Sequence, residues 1–205
     1  MGKRILIILT SQATLGATDH KTGWYLPELA HPLKVLFDAG YKDVIDSVSP
    51  KGGVAPLDPS SVEAFKDDPS CQWLLKDADA QKLINQTKQP GSIVSSDYCA
   101  VIYPGGHGPM FDLASNADIG KVASDVYKNG GLVAAVCHGP AGLIPVKDES
   151  GNPIVKGRKV TSFTNAEEDA VKLTALMPFP LETKLKELGG NFQGKANFQN
   201  NVLVS

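Results

Sequence analysis

The tetrapeptide Val136-Cys137-His138-Gly139 places a nucleophile directly beside a residue that can carry its proton. It follows the continuous apolar run Leu132–Val136, which predicts a central strand buried on both faces. A cysteine on a sharp turn between strand and helix stands clear of the sheet, where free backbone N–H groups favour its thiolate. A lone cysteine is also often a buried structural residue. Taken alone, the tetrapeptide therefore leaves a catalytic and a structural role open.

A glycine-rich loop follows a second apolar run. The run Tyr98–Tyr103 leads into Pro104-Gly105-Gly106-His107-Gly108-Pro109. Glycines let backbone N–H groups approach a ligand closely, as an oxyanion hole requires, although a simple tight turn explains them equally well. The spacing matches neither a dinucleotide-binding nor a phosphate-binding loop. Gly106 and His107 are therefore candidates for oxyanion or substrate binding, and His107 can instead be a loop residue that supports the site indirectly.

Acidic residues are the third group of candidate catalytic residues. Glu28 lies on the apolar face of a predicted helix, Trp24–Ala39, where burial would raise the pKa of its carboxyl and keep it protonated beside a thiolate. Glu167 and Glu168 follow a predicted strand and could orient the imidazole of His138. Each of these acids also has a structural alternative. Glu28 can simply be solvated at the edge of its helix, and Glu167 and Glu168 can compensate the dipole at a helix N-terminus.

Alternating strand and helix patterns predict how these residues are positioned. Such alternation is typical of a mainly parallel sheet with helices on both faces, an α/β three-layer sandwich, and reactive groups then gather at the carboxyl ends of the strands. Nucleophile, proton carrier, orienting acid and oxyanion donors would meet at one edge, which predicts a cysteine-dependent enzyme. Further predicted strands are Arg4–Leu9, Val44–Val48, Lys159–Phe163 and Asn201–Val204, and further helices begin at Asn165 and cover Leu181–Leu188. Asn116 is predicted to cap another helix.

The organisation predicted from the chain is one domain over residues 1–205. Residues 50–92 lack strand signals and carry short helical fragments, so they are interpreted as a helical insertion packed over the domain. Within it, the apolar triplet Trp73-Leu74-Leu75 is expected to belong to the core.

Composition excludes several classes of function. The chain has 205 residues with 42% hydrophobic residues and a net charge of -2, which is globular and gives no basic surface for nucleic acid or anionic lipid. No apolar run is long enough for a membrane span, and the start does not read as a signal peptide. Three cysteines without paired spacing predict a reduced cytoplasmic setting, with the nucleus left open, and four histidines without ligand spacing predict no metal site.

Three motifs together resemble the ThiJ/PfpI superfamily, and within it the glyoxalase III-like, heat-shock-chaperone branch. They are Ala134-Ala135-Val136-Cys137-His138-Gly139-Pro140-Ala141, Pro104 through Leu113, and Thr22-Gly23 through Glu28 to His31-Pro32. The resemblance implies a flavodoxin-like sandwich related to class I glutamine amidotransferases, a homodimer and no cofactor. It assigns the nucleophile to Cys137, the histidine to His138, the protonated acid to Glu28, and the triad acid to Glu168, with Glu167 the alternative. Oxyanion-type backbone donors would be Gly106 and His138.

The activity that the resemblance implies is glutathione-independent conversion of methylglyoxal, a small 2-oxoaldehyde, to lactate by a lyase of the glyoxalase III, D-lactate dehydratase type. Cys137 would form a hemithioacetal, and His138 or Glu28 would move a proton through an enediol. Relatives are also described as holdase chaperones, protein deglycases or oxidation sensors, so these are the alternative functions. A holdase surface would be sought in residues 50–92.

The end of the chain departs from the family pattern. Family members continue past the predicted strand Asn201–Val204 with a Thr-Gly-x-Asn-Pro stretch and a closing helix, whereas this sequence ends at Ser205. Either the sequence stops short of the family's usual end or the fold ends differently, which leaves the last sheet element and the lid on that side open, while every predicted catalytic position is present.

Overall fold

Parallel strands form the centre of the molecule. The computed structural model describes residues 4–205, and in this part the main sheet has the order β2-β1-β3-β4 with every pair parallel. The fold is thus the predicted α/β class. The strands of this sheet are β1 (Arg4–Ile8), β2 (Ile45–Val48), β3 (Tyr98–Tyr103) and β4 (Leu132–Ala135).

Helices cover both faces of this sheet. They are α1 (Leu26–Asp38), α2 (Pro59–Ala64), α3 (Pro69–Lys76), α4 (Ala78–Asn85), α5 (Pro109–Asp112), α6 (Ala117–Lys128), α7 (Asn165–Ala170) and α8 (Leu181–Glu187). The predicted cap of α6 is present, because the Asn116 side chain accepts a hydrogen bond from the backbone N–H of Ile119.

The alternation of side chains along β1 divides the core into two layers. Ile5 and Ile7 face α1 and the helices of the 50–92 segment, whereas Leu6 and Ile8 face α6. This two-sided burial explains why the strand is apolar at successive positions.

The segment 50–92 is helical, and its apolar side chains mostly face inward. Aspartates at the N-caps of α2, α3 and α4 accept hydrogen bonds from the first free backbone N–H groups, which fixes where each short helix begins. Leu74 is fully buried against α1, with Trp73 and Leu75 packed beside it. The triplet therefore lies in the core, while the assignment of the segment as an insertion in a single domain stays a prediction.

The prediction that Leu132–Val136 is a central strand is wrong. Within residues 4–205, β4 lies at the edge of its sheet, and Leu132 is 74% exposed. An apolar run indicates that both faces of a strand meet apolar surroundings, but it does not reveal how many strands flank it. Here the run borders an open cavity of about 1210 Å³.

Two predicted strands beyond β4 are also corrected. The run Lys159–Phe163 contributes strand only at β5 (Lys159–Val160), which pairs in parallel with β6 (Asn191–Phe192) in a separate small sheet. Residues 201–204 form no strand, and Val202 and Val204 are largely exposed along the same cavity. Strand propensity alone does not hold an extended segment without a hydrogen-bonded neighbour.

None of the helices described within residues 4–205 has the length and apolar character needed to span a bilayer.

Candidate active site

Cys137 lies on a strained turn at the carboxyl end of β4. Its φ angle is 57°, in the left-handed region that non-glycine residues rarely adopt, and a 3₁₀ turn, Gly139–Leu143, follows. Gly139 permits this turn, because a Cβ at that position would lie 2.2 Å from the carbonyl oxygen of Tyr103. The backbone thus presents the half-buried thiol above the sheet, in the way a nucleophile elbow does.

The glycine loop after β3 lies against this thiol. The backbone N–H groups of Gly106 and His138 both hydrogen-bond to Cys137. Gly106 has a φ of 86°, and a Cβ there would lie 2.3 Å from the carbonyl oxygen of Gly23. The close approach of this loop therefore depends on glycine, and it brings the two predicted oxyanion donors to the sulfur.

Helix α1 positions Glu28 beside the same sulfur. Pro27 occupies the first turn of the helix, where its missing N–H costs nothing. The Glu28 carboxylate hydrogen-bonds to Cys137 and accepts a hydrogen bond of 2.8 Å from the backbone N–H of Gly105. A Cβ on Gly105 would lie 2.6 Å from that carboxylate oxygen, so only glycine leaves room for it.

Helix α7 brings Glu168 to His138. The Oε2 atom of Glu168 lies 2.6 Å from Nε2 of His138, and Nδ1 of the same ring lies 3.3 Å from Sγ of Cys137. Glu167 instead forms a capping box with Thr164 and accepts that residue's backbone N–H. The structure therefore places Glu168, and not Glu167, against the imidazole.

His107 shares the same carboxylate, a contact that fits the indirect supporting role given above as the alternative for this histidine. Its Nε2 lies 3.0 Å from Oε1 of Glu168, and its ring centroid is 4.1 Å from that of His138. Both carboxylate oxygens of Glu168 are thus occupied by imidazoles. The three residues lie far apart in sequence, at the ends of β3 and β4 and on α7, so no spacing in the sequence signals their contact.

Burial acts on both ionisable groups at this contact, the Glu28 carboxyl and the Cys137 thiol. Burial raises the pKa of Glu28 to about 7, as expected, against the opposing effect of its hydrogen bonds. Burial also raises the pKa of the Cys137 thiol, the charge of Glu28 raises it further, and the backbone N–H groups offset this only in part. The resting thiolate stays a prediction: the backbone N–H groups of Gly106 and His138 favour it, while loss of solvent and the charge of Glu28 oppose it.

His138 is neutral and has a defined tautomer. Burial lowers the pKa of His138 to about 4, although its hydrogen bond with Glu168 acts in the opposite direction. Burial would raise the pKa of Glu168, but the hydrogen bonds with His107 and His138 outweigh it and lower this pKa to about 2. Since a carboxylate only accepts, Nε2 of His138 donates to it, and the lone pair of Nδ1 faces the sulfur.

Two aromatic residues that were not predicted as site residues complete the site. The ring of Phe163 packs on His138 with centroids 4.4 Å apart, which restrains the imidazole. Tyr25 lines the cavity together with Glu28 and Cys137. Burial raises the pKa of Tyr25, and the charges of Glu28, Asp58 and Cys137 raise it further, so its phenol stays a hydrogen-bond donor.

The fold and this cysteine site define a known class of protein. The sequence profile of the DJ-1/PfpI family matches residues 27–177, which include Glu28, the ends of β3 and β4, the elbow and α7. The chain belongs to the DJ-1/PfpI family.

Its relatives include proteins named for one activity. The chain is 32% identical over 178 residues to the glutathione-independent glyoxalase HSP31 of Saccharomyces cerevisiae, covering 85% of this chain and 74% of that protein. The structure is similar to glyoxalase III of Candida albicans, with a TM-score of 0.87 and 28% identity over 98% of this chain and 87% of that one. It is also similar to the Rapid Encystment Protein 24 kDa of Francisella tularensis, with a TM-score of 0.91 and 36% identity over 99% and 88% of the two chains.

Proposed function

We propose that this protein is a glutathione-independent glyoxalase that converts methylglyoxal and related 2-oxoaldehydes to 2-hydroxy acids. The proposal rests on the contact of the Cys137 thiol with the Glu28 carboxyl, whose pKa of about 7 suits proton transfer at neutral pH. The similarity to HSP31 and to Candida glyoxalase III supports the choice of this activity within the family.

The first step is addition of the Cys137 sulfur to the aldehyde carbon. The thiol proton passes to the Glu28 carboxylate as the S–C bond forms and the π electrons of the carbonyl move to oxygen. Glu28 then returns the proton to that oxygen, which leaves a hemithioacetal. The backbone N–H groups of Gly106 and His138 point at the sulfur and lie next to the developing oxyanion, where they would stabilise its charge.

The second step moves a hydrogen from the former aldehyde carbon to its neighbour. A base removes the C–H proton, the electrons pass to the ketone oxygen through an enediol, and reprotonation of the second carbon leaves a thioester. Of the two predicted bases, Glu28 fits better than His138, because the pKa of His138 is lowered to about 4. Water then hydrolyses the thioester, which releases lactate and restores the thiol.

The triad residues hold His138 in place during these steps. Glu168 fixes the tautomer in which Nδ1 accepts from sulfur, and His107 keeps Glu168 ionised. We assign Cys137 as nucleophile, Glu28 as acid and base, His138 as hydrogen-bond acceptor for the thiol, and Glu168 with His107 as positioning residues.

The proposal is tested by glutathione-free turnover of methylglyoxal by wild type, Cys137→Ser and Cys99→Ser. Cys99 lies at the opposite end of the sheet, near the backbone of Arg4, so Cys99→Ser is the matched control. Turnover is expected to vanish in Cys137→Ser and to persist in Cys99→Ser. Equal turnover in all three proteins would refute the proposed nucleophile.

A holdase activity is a second candidate, favoured by exposed apolar residues around β4. Within residues 4–205, β4 has a sheet partner on one side only, and Leu132, Val136, Val202 and Val204 are exposed near it, whereas the 50–92 segment turns most of its apolar side chains inward. An unpaired strand edge can also pair with an unfolded chain. Suppression of aggregation that is lost in Leu132→Lys and unchanged in Cys137→Ser would support this function.

Independence from cofactors, assembly as a homodimer and residence in the cytoplasm stay predictions. Turnover after dialysis against a chelator tests the first, and light scattering tests the second. Deglycase and oxidation-sensing activities would use the same thiol, and no separate feature of the structure favours them.

A further inference from the structure

A cluster of three chemically different side chains lies between α1 and α3. His31 comes from α1, and Asp68 and Cys71 come from the N-cap and first turn of α3. Their ligand atoms all lie within 4.8 Å of one another. We propose that His31, Asp68 and Cys71 bind a divalent zinc ion, a site separate from the proposed catalytic centre and independent of the proposed function.

The distances suit zinc coordination. Nε2 of His31 lies 3.1 Å from Oδ2 of Asp68. A tetrahedral zinc ion with its usual bond lengths holds nitrogen and oxygen ligands about 3.4 Å apart and sulfur slightly farther from both. Closing the cluster on an ion therefore needs side-chain shifts of about 1 Å.

The two carboxylate oxygens of Asp68 have different hydrogen-bond partners. Oδ1 accepts the backbone N–H of Cys71, which caps α3 and fixes the carboxylate, while Oδ2 faces His31. A hydrogen bond that orients a ligating carboxylate in this way is a common feature of metal sites. The second oxygen is thus held toward the cluster without losing the cap.

The cluster is open on the solvent side and closed on the protein side. The His31 side chain is 51% exposed and that of Asp68 is 27% exposed, whereas Cys71 is buried at the floor. An ion can thus enter past His31 and keep water as a fourth ligand. A mixed nitrogen, oxygen and sulfur set with one open position favours zinc over magnesium or calcium, which prefer oxygen alone.

Binding would join α1 to α3. His31 lies one helical turn after Glu28, so the site anchors the helix that carries the proposed acid. The helices are distant in sequence, which is why the spacing of the histidines predicted no metal site. The expected result is a rise in melting temperature with Zn²⁺, whatever the state of the catalytic thiol.

The test is titration of the full chain with Co²⁺ and competition by Zn²⁺. A bound thiolate gives a near-ultraviolet charge-transfer band with Co²⁺, so the band reports Cys71. We expect one Co²⁺ per chain, displaced by Zn²⁺, in both wild type and Cys137→Ala. Affinity is expected to fall at least about tenfold in His31→Gln and in Asp68→Asn, since loss of an outer-shell partner alone can cost that much.

The variants are chosen so that folding does not decide the result. His31 is exposed, and asparagine keeps the helix cap in Asp68→Asn, so both proteins should fold. His20→Gln, another exposed histidine, is the control and should bind normally. Absence of the band in wild type, its loss in Cys137→Ala, or full affinity in His31→Gln would each overturn the proposal. If metal binds without giving the charge-transfer band, and this binding is lost in His107→Asn, the ion lies at His107, His138 and Glu168 instead. That result would also overturn the proposal.

Discussion

Replacement of Glu28 by glutamine should change how stability depends on pH. Burial raises the pKa of Glu28 from 4.5 to about 7 in the folded protein. The folded state therefore binds this proton more tightly than the unfolded state, and the resulting stability is lost as pH rises from 4.5 through 7. One unit of pKa shift corresponds to about 1.36 kcal/mol. Between pH 4.5 and pH 7, the free energy of unfolding of the wild type should therefore fall by about 3 kcal/mol relative to that of Glu28→Gln.

The assay is urea unfolding of both proteins between about pH 4 and pH 8. Glutamine keeps an oxygen that can accept the N–H of Gly105, so the variant retains this contact. Other titrating groups are the same in both proteins, and their effects cancel in the difference. Glu149→Gln, which removes an exposed charge, is the control. A free-energy difference between wild type and Glu28→Gln that stays constant with pH would refute the inferred environment of Glu28.

Further predictions concern the same site. kcat/KM for methylglyoxal should rise as pH increases through about 7, because ionised Glu28 accepts the thiol proton, and a flat profile would contradict this role. Glu168→Gln should lower kcat by about 100-fold or more, since a neutral amide no longer fixes the tautomer of His138; unchanged kcat would exclude a positioning role. Gly105→Ala should unfold at a lower urea concentration and lose turnover, because its Cβ would lie 2.6 Å from the Glu28 carboxylate; wild-type stability would contradict this packing.

The sequence identifies most of the elements that build the site, because their signals are local. Apolar runs predict β1, β2 and β3, Asn116 predicts the start of α6, and the small residues after Cys137 predict a tight turn. Burial of Glu28 also follows from its position on the apolar face of a helix. Each of these depends on residues close together in the chain.

Features that depend on distant residues do not follow from local patterns, and the assignment of Glu168 came only from the family resemblance. Glu167 and Glu168 are adjacent and chemically alike, and the choice of Glu168 for His138 follows from the capping box that engages Glu167. The edge position of β4 depends on which strands flank it. The balance of charge at Cys137 depends on how closely Glu28 approaches it, which no spacing in the sequence reveals.

The central claim is that the sulfur of Cys137 carries the substrate through the reaction. Its most direct test is mass spectrometry of the protein quenched during turnover of methylglyoxal without glutathione, with lactate quantified in parallel. We expect an adduct on Cys137 in the wild type, and in Cys137→Ala we expect neither the adduct nor lactate. Lactate formation at the wild-type rate by Cys137→Ala would contradict it.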